Sequence, residues 1–287
     1  MVHPVKKRNN LAKPQKEGTF NGVKIAWFGR HFGEEPPLVD DKGACSERSR
    51  GAGTIFFSGC NLHCVYCQNY QISQQGIGKS YSTEELVNIM LKLQNDGALN
   101  IDLVTPTIWQ EQIKEAIIKA KEKSLKIPVI WNSNGYDGVK LIKEMKGLVD
   151  IYLPDFKYGN NDLAYKYSGI KKYVEKTEET IREMINQVGA ENVIIRHLIL
   201  PNNIENSIGV LKKIKEMDKN IRVSLMTQYE PVFRAKEFPE INRRITENEF
   251  EKVHNYQLEL GLINGWVQEM GSQKVFLPDF TRDNPFQ

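Results

Sequence analysis

Residues 54–69 read Thr54-Ile-Phe-Phe-Ser-Gly-Cys60-Asn-Leu-His-Cys64-Val-Tyr-Cys67-Gln-Asn69. The apolar run Ile55–Phe57 predicts a buried strand, and Gly59 permits the tight backbone that must follow it. Three cysteines then fall in a C-x3-C-x2-C spacing, and the chain has one other, Cys45. A structural zinc site takes four ligands, and a four-iron cluster held wholly by protein takes four thiolates. Three thiols on one loop can hold such a cluster and leave one iron open. The spacing therefore points to chemistry rather than to a structural staple.

Outward from this loop, short apolar runs alternate with helical patterns. Strands are predicted at 54–58, 100–105, 128–132, 150–154, 192–200 and 222–226. Helices are predicted from Ser82 onward, where Ser82 and Glu85 make a capping box, and over about 109–123, 138–145, 174–188 and 207–217. A last helix opens with a second capping box, Thr246 and Glu249. Six strand–helix units in a row predict a parallel sheet with outer helices. Six is short of the eight in a closed barrel. The expected fold class is α/β, a partial (β/α)6 TIM-like barrel with an irregular N-terminal arm and a C-terminal tail covering the gap. A doubly wound open sheet is the alternative. Residues 1–53 form the expected arm, with one short strand at 23–28, and residues 54–287 form the barrel with its C-terminal extension.

The 287 residues suffice for one large domain, and a chain of this length buries roughly three quarters of its unfolded surface without disulfides. Acids and bases nearly balance, at net charge +3, so neither nucleic acid nor a membrane is an expected partner. No run of about twenty apolar residues suggests a membrane span, and no apolar stretch follows the polar start as in a secretory signal. With so few cysteines gathered on one loop, a reducing cytoplasm is expected. The basic stretch 5–16 and the tail 277–287 could dock a protein, but both also read as plain termini.

In parallel α/β folds the site lies beyond the carboxyl ends of the strands. Nearly every predicted strand end is polar: Thr105 and Thr107, Asn132 and Asn134, Asp155 and Lys157, Arg196 and His197, and Thr227, Gln228 and Tyr229. Taken singly, Asn and Thr here are ordinary turn and cap formers. Asp155 and Lys157, at i and i+2, point to one side and could be a structural ion pair. Arg196 and His197 go to opposite faces, and register decides which enters the barrel. As a ring, these groups surround one cavity mouth with the cysteine loop on its rim.

The motif, with aromatic Tyr66 before its last cysteine, resembles that of the radical S-adenosylmethionine (SAM) superfamily. Cys60-Asn-Leu-His-Cys64-Val-Tyr-Cys67-Gln-Asn69, with Glu34-Glu-Pro-Pro37, Val104-Thr-Pro-Thr107 and Tyr152-Leu-Pro-Asp-Phe-Lys157, is similar to the pyruvate formate-lyase activating enzymes and their uncharacterised relatives. The resemblance runs from about His31 to the sixth strand. It implies that Cys60, Cys64 and Cys67 hold a [4Fe-4S] cluster whose open iron takes the amino and carboxylate groups of SAM. One electron then cleaves the S–C5′ bond, and the resulting 5′-deoxyadenosyl radical abstracts a hydrogen atom. Tyr66 is expected against the adenine. Thr105, Thr107, Asn132, Asn134, Asp155, Lys157, Arg196 and Gln228 are candidates for the methionine, ribose and substrate contacts. The implied partners are a glycyl radical enzyme as protein substrate and an electron donor such as flavodoxin or ferredoxin.

Two departures weaken the substrate assignment. Activating enzymes usually carry Gly-Gly-Glu after the second strand to receive the SAM amino group, and here that place reads Leu103-Val-Thr-Pro-Thr107. The cysteine pairs that many activating enzymes and maturases use for further clusters are also missing. A radical SAM enzyme acting on a small molecule, peptide or RNA therefore stays open. So does a non-catalytic zinc-stabilised barrel with Cys45 or His63 as fourth ligand.

Overall fold

The computed structural model describes residues 21–40, 50–268, 270–271 and 277–287. Strand β1 (Gly22–His31) runs antiparallel to β2 (Ala52–Phe57), and β3 (Lys79–Ser82) lies antiparallel on the far side of β1. From β2 the sheet continues in parallel through β4 (Ile101–Val104), β5 (Val129–Ser133) and β6 (Ile151–Pro154). Two bridges, Tyr152 to Val193 and Asp155 to Arg196, carry it across to β7 (Ile194–Leu198). Parallel β8 (Arg222–Met226) and β9 (Gly265–Val267) complete it. Along this wall the strands follow chain order without reversal. A doubly wound sheet reverses at a switch point, so the structure is the partial barrel. The antiparallel β1 caps the edge at β2 where a closed barrel would continue.

Most helices cover the outside, while the short α1 (Pro36–Val39) packs inside the barrel. The others are α2 (Tyr70–Ser73), α3 (Thr83–Asn95), α4 (Gln110–Glu122), α5 (Val139–Glu144), α6 (Asn161–Ser168), α7 (Tyr173–Val188), α8 (Ile204–Met217) and α9 (Glu247–Glu259). Both predicted capping boxes form, Ser82 with Glu85 and Thr246 with Glu249. Beyond the short α1, α2 and β3, which the sequence did not announce, three features differ from expectation. The strand of the arm is ten residues long and joins the sheet. The stretch after β6 contains α6. β9 adds a seventh parallel strand.

Alternation sorts the strand residues into two layers. Ile55, Phe57, Leu103, Trp131, Tyr152, Ile195 and Val223 belong to the large core beneath the helices. Ile130, Leu153 and Ile194 form a smaller cluster with Leu38 of α1, inside the barrel. Phe56 and Val104 pack with Ile72 and with Phe280 of the tail. Gln71 pins that tail twice, donating to Asp279 Oδ1 at 3.0 Å and accepting from the Phe280 N–H at 2.8 Å. The tail thus lies along the side of the barrel nearest the cysteine loop.

Register also separates Arg196 from His197. Arg196 meets Asp155 and Asn132 within the barrel. His197 is fully buried on the helix side. Its Nδ1 lies 2.7 Å from the Phe156 carbonyl and its Nε2 lies 2.8 Å from Ser207 Oγ in α8. A carbonyl only accepts, so Nδ1 carries the proton and the neutral ring fits both partners. Burial pushes its pKa down to about 4. The folded state therefore resists a proton that the unfolded chain takes up near pH 6.5, so this stability is present above pH 6.5 and lost as pH falls toward 4. The loss is on the order of 3 kcal/mol. Urea unfolding at pH 7 and pH 4.5 should show a shallower pH dependence for His197→Gln than for the parent, and equal slopes would refute the assignment.

Candidate active site

β2 ends at Phe57, and the chain turns at Gly59 with φ +89°. A positive φ of this size is one that L side chains rarely adopt, so the turn favours glycine on conformation, while the nearest neighbour of an added Cβ would be the movable end of Ile108. The loop is then tied down from several directions. The Val65 N–H donates to the Tyr167 carbonyl at 2.8 Å, and the Arg234 N–H donates to the Val65 carbonyl at 2.8 Å. Tyr70 stacks on Phe233 with centroids 5.0 Å apart.

Each sulfur faces a polar group from elsewhere in the fold. Asn134 Nδ2 donates to Cys60 Sγ at 3.3 Å, Ser168 Oγ donates to Cys64 Sγ at 3.0 Å, and Ser73 Oγ lies 3.2 Å from Cys67 Sγ. Burial pushes the Cys60 thiol up to about 11 and the Cys67 thiol up to about 12, and it raises Cys64 as well. Such thiols ionise only against a compensating positive charge. His63 is engaged through Nδ1 with Gln74 Oε1 at 2.8 Å. Among the described residues no three His, Cys, Asp or Glu side chains gather closely enough to share one metal ion. A cubane makes no such demand, because each thiolate binds a different iron. Cys45 lies outside the described residues.

Opposite the loop is a charged group. Asp155 accepts from Lys157 Nζ at 2.5 Å and from Arg196 Nε at 2.9 Å. Arg196 also donates to Asn132 Oδ1 at 2.5 Å and lies 3.7 Å from Glu34. Burial would raise the Asp155 carboxyl, but the charges of Arg196 and Lys157 outweigh it and hold Asp155 below the usual range. Burial likewise opposes the charge on Lys157, which Asp155 and then the nearby Cys64 reinforce, for a net rise. Beneath lie two further acids, Asp102 and Glu35, both raised by burial. Asn132 Nδ2 and Thr54 Oγ1 each reach Asp102 Oδ2 at 3.4 Å.

The structure brings Asn132, Asn134, Asp155, Lys157 and Arg196 to the mouth with the cysteines. It places the others differently. The Tyr66 ring is 5 % exposed and packed against Tyr229, with its hydroxyl 2.7 Å from Tyr158. Thr107 spends its hydroxyl on the buried Asp137, at 2.7 Å. Thr105 ends the strand at φ +61°, and its N–H donates to the Asn132 carbonyl. Gln228 accepts from Gln68 through its carbonyl at 2.6 Å and from Gln268 through its side chain at 3.2 Å. Sequence reasoning did not single out Asp102, Tyr158 or Ser168. Only Asp102 left a signal, as an acid inside an otherwise apolar strand.

The radical SAM superfamily model matches residues 54–214, more than half of the chain. The chain belongs to the radical SAM superfamily. It is 36% identical over 263 residues to an uncharacterized protein of Methanocaldococcus jannaschii, covering 86% of this chain and 72% of that one. It is 24% identical over 197 residues to the pyruvate formate-lyase-activating enzyme of Clostridium pasteurianum, covering 67% of this chain and 76% of that enzyme. In structure it is similar to the FeFe-hydrogenase maturase HydG from Carboxydothermus hydrogenoformans, with TM-score 0.55 at 14% identity. That match covers 75% of this chain and 53% of the maturase, so this chain spans about half of it.

Members of the superfamily use a [4Fe-4S] cluster and SAM, and the residues here fit both. Three thiols, one buried and two partly buried, need positive charge to ionise, which iron supplies. The mouth beside them offers both signs of charge to a zwitterion. Anaerobic reconstitution should load iron and sulfide into the parent and into Cys45→Ala. Alanine at Cys60, Cys64 or Cys67 should abolish loading. Zinc without sulfide, or a Cys45 variant that loses its metal, would overturn the three-thiol cluster.

Proposed function

We propose that this radical SAM enzyme activates a partner protein by removing a hydrogen atom from one of its glycine residues. The reading rests on the similarity to the Clostridium pasteurianum activating enzyme, which runs through two thirds of this chain. Cys60, Cys64 and Cys67 would hold a cluster that would supply the single electron for splitting SAM at its S–C5′ bond into methionine and a 5′-deoxyadenosyl radical. Reduced flavodoxin or ferredoxin is the proposed electron source. Lys157 offers a cation to the SAM carboxylate, and Asp155 offers an anion to the amino group. Arg196 and Asn132 hold Asp155 and the neighbouring strand end in place. Loss of one α-hydrogen from the partner then leaves a glycyl radical and 5′-deoxyadenosine.

A second reading, a small molecule, peptide or RNA as substrate, is favoured by the strand end Thr105-Pro106-Thr107. That segment brings no charge where activating enzymes have Gly-Gly-Glu, and its Thr107 hydroxyl is already engaged. Electron paramagnetic resonance of the reduced enzyme with SAM and each glycyl radical protein of the same cell decides between the two. A carbon-centred doublet on one partner is expected. SAM cleavage with no doublet on any partner would move the assignment to the second reading. Lys157→Ala should raise the SAM concentration needed for half-maximal cleavage by roughly tenfold or more, since a charge-assisted hydrogen bond contributes about 1.5–3 kcal/mol. An unchanged requirement would remove Lys157 from SAM binding.

A further inference from the structure

Behind Cys64 three hydroxyls stand in line. Ser168 Oγ, at the end of α6, donates to Cys64 Sγ at 3.0 Å. Tyr158 OH lies 2.6 Å from Ser168 Oγ, and Tyr66 OH lies 2.7 Å from Tyr158 OH. All three side chains are buried, at 1 % exposure for Ser168, 0 % for Tyr158 and 5 % for Tyr66. Each hydroxyl has one proton to give. Once Cys64 is a thiolate it can only accept, so the Ser168 proton points at sulfur. The Ser168 oxygen is then left to accept from Tyr158, and the Tyr158 oxygen from Tyr66. Every proton in the row is directed toward the cluster ligand.

We infer that Tyr66, Tyr158 and Ser168 form a directed hydroxyl relay that positions a hydrogen bond on Cys64 and raises the reduction potential of the cluster. The physical basis is charge. Reduction adds an electron to a cluster already bearing three thiolates, and a donor to sulfur stabilises the more negative state more strongly. A donor that is itself polarised by two further hydroxyls, in a buried site, does so more than an isolated one. The other two sulfurs are served differently. Cys60 accepts from the Asn134 amide at 3.3 Å and the Leu62 N–H at 3.4 Å, and Cys67 faces Ser73 at the end of the adjoining α2. The relay also accounts for Tyr66: its ring is turned into the core because its hydroxyl is the first donor of the row. The inference needs only the superfamily's cluster and is independent of which substrate the enzyme takes.

The test is a redox titration of the anaerobically reconstituted full chain, followed by the resonance signal of the reduced cluster. Ser168→Ala should lower the midpoint potential by a three- to tenfold change in the reduction equilibrium, roughly 30 to 59 mV for one electron. Tyr158→Phe and Tyr66→Phe keep their rings and should shift it in the same direction by less, Tyr66→Phe least. Iron and sulfide content measured on each variant separates a tuned cluster from a lost one. If Ser168→Ala fails to take up iron, the two phenylalanine variants carry the test. Unchanged potentials in fully loaded variants, or a rise in any of them, would overturn the relay.

Discussion

The ion pair between Asp155 and Arg196 sits where the barrel wall is thinnest. The hydrogen-bonded sheet that ends at β6 meets the sheet that begins at β7 through only two bridges, and the upper one joins these same two residues. One bond of that bridge runs from the Phe156 N–H to the Arg196 carbonyl, at 2.9 Å. A partly buried pair adds little net stability over a well-packed apolar one, but removing one partner leaves the other charge uncompensated. The pair therefore specifies geometry more than it stabilises. It fixes the angle at which β7, and with it β8 and β9, continue the wall. It also sets Asp155 and Lys157 facing the cysteine loop. Fold and mouth share one interaction.

The cysteine loop imposes the complementary constraint. Three thiols in a buried loop must become anions, and the fold answers with a hydrogen-bonding group for each from a different place: the end of β5, the end of α6 and α2. The loop is thus not an appendage of β2. It is a surface on which several later elements converge, and its shape depends on α6 returning to the barrel mouth.

That convergence explains what the sequence does and does not disclose. The six main strands and their helices are legible because each carries its own apolar period and, twice, its own capping box. The strand-end rule finds Asn132, Asp155, Lys157 and Arg196 because backbone position alone sends them to the mouth. β3, with the sequence Lys-Ser-Tyr-Ser, has no apolar period and exists only because β1 offers an edge. β9 is three residues long. α6 has eight residues and is held by an Asn160 cap in a stretch that reads as loop. Ser168 lies 104 residues from the cysteine it serves, and no spacing rule spans that distance. Tyr66 follows a family pattern by type, yet its hydroxyl partner 92 residues away decides where the ring goes.

The strand end at Thr105 carries the same logic into the charge balance of the mouth. A β-branched residue at φ +61° ahead of Pro106 is strained, by an amount on the order of 1–3 kcal/mol. The strain persists because both flanks are fixed, by Thr105 N–H on Asn132 and by Thr107 on Asp137. The turn thus presents no carboxylate where related enzymes place a glutamate, and the anion must come from elsewhere. Burial raises Asp102 and Glu35, which favours their neutral forms, while Arg196 and Lys157 hold Asp155 ionised. Asp155 is shared by those two cations, and Glu34 faces Arg196 at 3.7 Å, so the two cations of the mouth are met by two acids and both signs of charge stand beside the cysteines.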